Sequence, residues 1–204
     1  MEQIVERDTR ADFLAVYSNT IKRDGAASML YWLDSKTDFF KAPASRKHHL
    51  AQPGGLVIHS LNVYKRLLEI TARDVFGGTD GALLAEDTVE TVAVLGLLHD
   101  VCKVGVYHET PPLVAAIANV EYPYTFQDLF PLGHGEKSLF LITRHMALTE
   151  EEALAIRWHM GAYDDAVKGG SRSMTEAMNL TPWVWRLQEA DMCAAWIDER
   201  SAAE

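Results

Sequence analysis

Three observations predict an all-α fold, a single helical bundle, for this chain of 204 residues. Apolar residues return at three- and four-residue spacing along most of it, as at Val57, Leu61, Tyr64 and Leu68. Helix-start signatures stand where such stripes begin, with Thr149 three residues before Glu152 and Thr181-Pro182 ahead of the last stripe. Glycine and proline gather between stripes, in runs such as "QPGG" and "FGGTDG".

Taken in order, Phe13, Val16 and Tyr17 form one stripe and Met29, Leu30 and Leu33 a second, so the chain should open with two helices broken near Asp24-Gly25. "FKAPASRKHHLAQPGG" reads as a loop, because its prolines and paired glycines stop a helix. The Val57 stripe follows and runs to "FGGTDG". Asp87 and Glu90 give the next helix a capping-box-like start, and Val92, Leu95 and His99 share one of its faces. Residues 105–131 predict a short β-hairpin or an irregular loop, with Tyr122, Tyr124 and Phe126 alternating along it near a substrate entrance. Helices resume over 135–146, 149–160 and 182–200.

Composition narrows the function classes. A hydrophobic content of 48% suits one sizeable core and one domain. The formal charge of −10 repels phosphate backbones, and "SRKHH" is the nearest approach to a basic cluster, which argues against long nucleic acid as a partner. The apolar run Val92–Leu98 is too short to span a bilayer, and the charged start "MEQIVERDTR" carries no signal-peptide pattern. A cytoplasmic protein is expected. Cys102 and Cys193 lie far apart with no CxxC partner, so they are read as two buried thiols and not as a disulfide or zinc knot.

The histidines carry the chemistry. Of eight, His59, His99, His134 and His159 lie on or beside core-facing stripes, and Asp191 shares a face with Val184, Leu187 and Ala195. Each alone is better explained as a hydrogen-bonded core residue. Together, imidazoles and carboxylates pointing inward from several helices are the composition of a two-metal site in a helical bundle.

In order, "GGLVIHS", "LLHDVCK", "GHGEKS", "IRWHMG" and "EADM" resemble the HD-domain superfamily of metal-dependent phosphohydrolases. The similarity is to the branch with a histidine, the His-Asp doublet, two further histidines and a late aspartate. It runs from about Pro53 to Asp198, and the approach to His59 is similar to that in the HD domain of bacterial 3′-to-5′ exoribonucleases. The resemblance implies a helical bundle of the HD type over residues 53–198, on which the helices and loop of residues 1–52 pack. It also implies two divalent metals, drawn from Mn, Fe, Mg, Ni or Zn. His59, His99, Asp100 and Asp191 would hold one, and His134 and His159 the other, with Asp100 bridging and a shared hydroxide as nucleophile. Lys103 would steady a phosphate oxygen.

A small phosphorylated substrate, a nucleotide before others, fits the length and charge, and a homodimer is compatible with them. Two other readings stay open at this point, a di-iron oxygenase acting on a diol or phosphonate and a non-catalytic regulatory domain. The complete ligand set argues against the latter. Several residues are set aside. His48 and His49 read as a solvated loop, His108 and His145 as structural or surface, and Cys102 as an inert thiol. Asp164 and Asp165 read equally as loop acids or as supports for metal ligands, and Trp183, Trp185 and Trp196 as core and interface.

Overall fold

The structure, a computed structural model, describes residues 8–111, 113 and 123–200. It is all-α apart from two short strands. Helix α1 (Thr9–Thr20) starts where the Asp8 carboxylate accepts from the Ala11 amide at 3.1 Å, and α2 (Ala26–Lys36) follows the expected break. Gly25 makes that break, since its φ is +90° and a Cβ there would meet the His145 carbonyl oxygen at 2.1 Å. The loop then leads into α3 (Gly55–Phe76) and α4 (Glu86–Leu98), and a 3-10 turn (Val101–Lys103) comes just past the latter.

Strands β1 (Tyr107–Glu109) and β2 (Tyr124–Phe126) pair antiparallel with His108 opposite Thr125, so the expected strand pairing forms, while residues 112 and 114–122 between them lie outside the described residues. Tyr122 lies outside the described residues. Next come α5 (His134–Thr143), α6 (Glu150–Trp158), α7 (Asp165–Lys168), α8 (Ser173–Leu180) and α9 (Trp183–Cys193). The last continues as a π-helical turn, Ala194–Asp198. Helices α7 and α8 show no stripe in the sequence, because four and eight residues are too few to establish a period.

Helix α4 is central, with every residue from Val92 to Leu98 buried. It packs on α3, which packs on α9, and α9 and α5 both pack on α6. Phe13, Met29 and Leu33 of the opening helices belong to the same apolar cluster as Leu56, Leu67, Leu95, Ile156 and Leu187. The Thr149 capping box forms as read, and the Thr181 hydroxyl accepts from the Trp183 amide at 3.4 Å. The expected start of α4 does not. Ala85 precedes the helix with no side-chain bond, and Glu90 turns away to accept the backbone amides of Lys22 and Arg23 at 2.6 and 2.8 Å. Those amides leave α1 without helical partners, so the carboxylate is more useful there than on its own helix. Cys102 is buried, whereas Cys193 is only half-buried. Among the described residues no helix is long and apolar enough to cross a membrane.

Candidate metal centre

Local structure aims each side chain. His59 projects from the second turn of α3, Asp191 from α9, and His134 is the first residue of α5. His99 and His159 stand directly past the ends of α4 and α6, still with helical backbone angles. Asp100, at φ −106° and ψ 16°, is where the chain leaves the helical path, which lets two consecutive side chains both face inward.

The imidazoles meet around Asp100, which is 2% exposed. Its Oδ1 lies 2.7 Å from Nε2 of His134 and 3.6 Å from Nε2 of His159. Its Oδ2 lies 3.5 Å from Nε2 of His59, 3.6 Å from Nε2 of His99 and 2.6 Å from Lys103 Nζ. Asp191 Oδ1 is 3.2 Å from His59 Nε2 but out of line for a hydrogen bond. Nε2 of His59, His99 and His159 is thus buried with no hydrogen-bond partner. Three such orphans would be costly in an apolar interior. Aimed at two carboxylates, they instead form a donor set of the kind that could hold a divalent cation. His59, His99 and Asp191 form one group with spacing fit for a metal, and His99, Asp100 and His159 form another.

The opposite ring nitrogens are fixed. Nδ1 of His99 donates to the Gly96 carbonyl at 3.1 Å and Nδ1 of His159 to the Ile156 carbonyl at 2.7 Å, which leaves each Nε2 with a lone pair. Nδ1 of His59 faces the buried carboxylate of Glu199. The sequence reading missed Glu199, since it belongs to no motif and nothing in its spacing marks it. The π turn brings it in, its amide donating to the Ala194 carbonyl five residues back at 3.0 Å.

Burial and charge set the protonation. Burial pushes His99 down to about 4. It also opposes protonation of His59, but the carboxylates of Asp191 and Glu199 outweigh it and lift that group to about 9. At His134 burial is outweighed by the Cys102 sulfur and the Asp100 carboxylate, which raise it to about 10. For Asp100 burial is outweighed by Lys103, His99 and His134, and the carboxyl is held well below its usual range. Lys103, despite burial, is held above its ordinary value by Asp100. The centre is therefore negative at its middle and positive at its edges, and cation binding would displace protons from the imidazoles.

The structure brings together all seven residues singled out by the resemblance. It corrects the reading of His49 as solvated. Its Nε2 is buried without a hydrogen bond, its ring centroid is 5.0 Å from that of His59, and burial pushes it down to about 4. The Ser45 hydroxyl folds this loop inward by accepting from the His48 amide and donating to the His49 carbonyl. Cys102 is buried as read but not isolated, with its sulfur 3.4 Å from His134 Nε2. His145 is structural, stacked on Trp32. Asp164 pairs with Arg157 at 2.8 Å and caps α7, while Asp165 is exposed. Trp183 packs against the core, whereas Trp185 and Trp196 are exposed.

A family model described as HD domain matches residues 56–196. No curated protein and no solved structure matches the chain.

Proposed function

The chain belongs to the HD-domain family, a family of metal-dependent phosphohydrolases, and from that premise we propose that it hydrolyses a phosphoester of a nucleotide or other small phosphorylated molecule. The division of labour at Asp100 is the observation that carries this reading. One carboxylate oxygen faces His134 and His159 and the other faces His59 and His99. That is the partition expected of a residue bridging two cations, with Asp191 completing the set on the His59 side.

Bound divalent cations supply Lewis acidity and a water of lowered pKa. The protein does the rest. The backbone carbonyls of Gly96 and Ile156 hold two ligand rings in one tautomer. Lys103 keeps an ammonium beside Asp100, within reach of charge developing on a phosphoryl oxygen. The apolar cluster behind α4 excludes water from the far side of the centre.

The test is to measure metal content of the purified protein and to screen bis-p-nitrophenyl phosphate and nucleotides with Mn, Mg, Ni or Fe supplied. Turnover that vanishes in Asp100→Ala, together with loss of at least one metal, is the expected result. Dioxygen consumption with a diol and no phosphoester turned over under any metal would replace this reading with the oxygenase one.

A further inference from the structure

A cleft of about 310 Å³ opens directly beside the centre, with Lys103 and His134 in its wall. Its remaining lining divides into two kinds. Tyr107 and Phe126 stand opposite each other in the β1–β2 ladder, with ring centroids 5.8 Å apart, and Val106 and Leu132 extend that surface. The lining also holds the ion pair of Lys137 and Asp128, 2.7 Å apart, in which Lys137 is 6% exposed and Asp128 also accepts the Phe130 amide. Phe126 meets Tyr107 edge-on, with an interplanar angle of 60°, and is 56% exposed, so much of its ring stays uncovered in the cleft lining.

We infer that this cleft is the substrate pocket of the centre and that it takes a nucleoside monophosphate, with the phosphate at Lys103, the base on the Phe126–Tyr107 surface, and the Lys137–Asp128 pair facing the polar edge of the base. The inference rests on the hydrolase reading for the fate of the phosphate, though not for binding. Three features favour this substrate class. The volume is at the small end of ligand pockets, enough for one nucleotide and too little for a chain of them. An exposed aromatic ring in the same cleft as the Lys103 ammonium suits a planar base, whereas a sugar phosphate would leave that ring unused. A half-buried pair offering both an ammonium and a carboxylate can meet the donors and acceptors of a base edge.

Calorimetry on the Mn-loaded protein tests the slot with two ligands that cannot be cleaved, the phosphonate isosteres of adenosine 5′-monophosphate and of ribose 5-phosphate. The adenosine compound should bind about tenfold more tightly, the scale of one base stacked on an aromatic ring. Phe126→Ala should erase that difference while leaving the ribose compound unaffected, and Phe126→Tyr should restore it. Because Phe126 is exposed, its replacement leaves the core intact. Equal affinities in the wild type, a Phe126→Ala loss shared by both ligands, or tighter binding of a dinucleotide than of the mononucleotide would each overturn the assignment. Turnover of bis-p-nitrophenyl phosphate, measured in parallel, separates the two claims. Hydrolysis without base discrimination defeats the slot alone, and base discrimination without hydrolysis of any phosphoester defeats the hydrolase reading alone.

Discussion

His59 presents Nδ1 to Glu199 at 3.0 Å from Oε1 and 3.2 Å from Oε2, a buried carboxylate behind a buried imidazole. Asn62 donates to the same carboxylate at 3.1 Å, so the anion is anchored from α3 while it anchors the ring. His59 is thus supported by a carboxylate, whereas His99 and His159 lean on backbone carbonyls. A carboxylate behind a metal-binding histidine fixes its orientation and raises its basicity. Glu199→Leu, which keeps bulk but removes the acceptor, should therefore weaken metal binding about 10- to 100-fold. Titration of the metal-free protein with Mn²⁺ checks this, and unchanged affinity in a folded variant would assign Glu199 a packing role.

Lys103 sits against Asp100 and in the wall of the cleft, a position suited to charge stabilisation and not to holding metal. Lys103→Ala should keep its metal content and lower kcat by about 100-fold, the usual effect of removing one preorganised donor. Metal loss equal to the activity loss would make it part of the ligand framework instead.

Gly96 lets α4 approach the α3 backbone closely at Tyr64. A Cβ there would stand 2.5 Å from Tyr64 Cα and 2.8 Å from its amide nitrogen, both backbone atoms that cannot step aside. Gly96→Ala should cost about 1–3 kcal/mol of stability, the range for overpacked cores. Because the Gly96 carbonyl also orients His99, metal affinity should fall with it. Denaturant melts of the apo and metal-loaded forms measure both.

The loop between α1 and α2 is tied to α6 through Arg23, whose guanidinium grips Glu152 at 2.6 and 2.7 Å. The Glu152 side chain is wholly buried, whereas Arg23 keeps 18% of its surface. Arg23→Leu would strand that carboxylate and should cost about 3 kcal/mol, the low end for breaking a buried pair because Arg23 is partly solvated. Adding Glu152→Gln should recover part of the loss in a double-mutant cycle. Full additivity of the two changes would show that the pair is not coupled.

Asp164 gives the fold an acid-sensitive tie. Burial raises its carboxyl, but the Arg157 guanidinium and the Ala166 amide outweigh burial and hold it below the usual carboxylate value. A folded-state value below the unfolded one contributes stability that is present above the unfolded value, near 4, and lost as pH falls through the folded one. Asp164→Asn should therefore lower stability at neutral pH and flatten the decline as pH falls below about 4. An acid limb as steep as that of the wild type would remove Asp164 from the account.

Much of the fold was legible before any coordinates because helices advertise themselves locally. The breaks at Gly25 and Gly77 and the capping box at Thr149 lie within a few residues of the stripes they bound, and each forms where it was read. The start of α4 was misread for the opposite reason. The partners of Glu90, the amides of Lys22 and Arg23, are 68 and 67 residues away in the chain, and no local pattern carries that information.

For the centre itself, the sequence by itself determined that His59, His99, His134, His159 and Asp191 lie on or beside core-facing stripes, and its motifs added Asp100 through the resemblance. Residue type and helical phase are properties of the chain. Only the tertiary structure decided that Asp100 divides its two oxygens between two pairs of histidines, that Glu199 stands behind His59, and that His49 folds inward. Those relations depend on how α3, α4, α5, α6 and α9 pack and on one π turn, and distances of a few ångströms between distant segments are set by that packing alone.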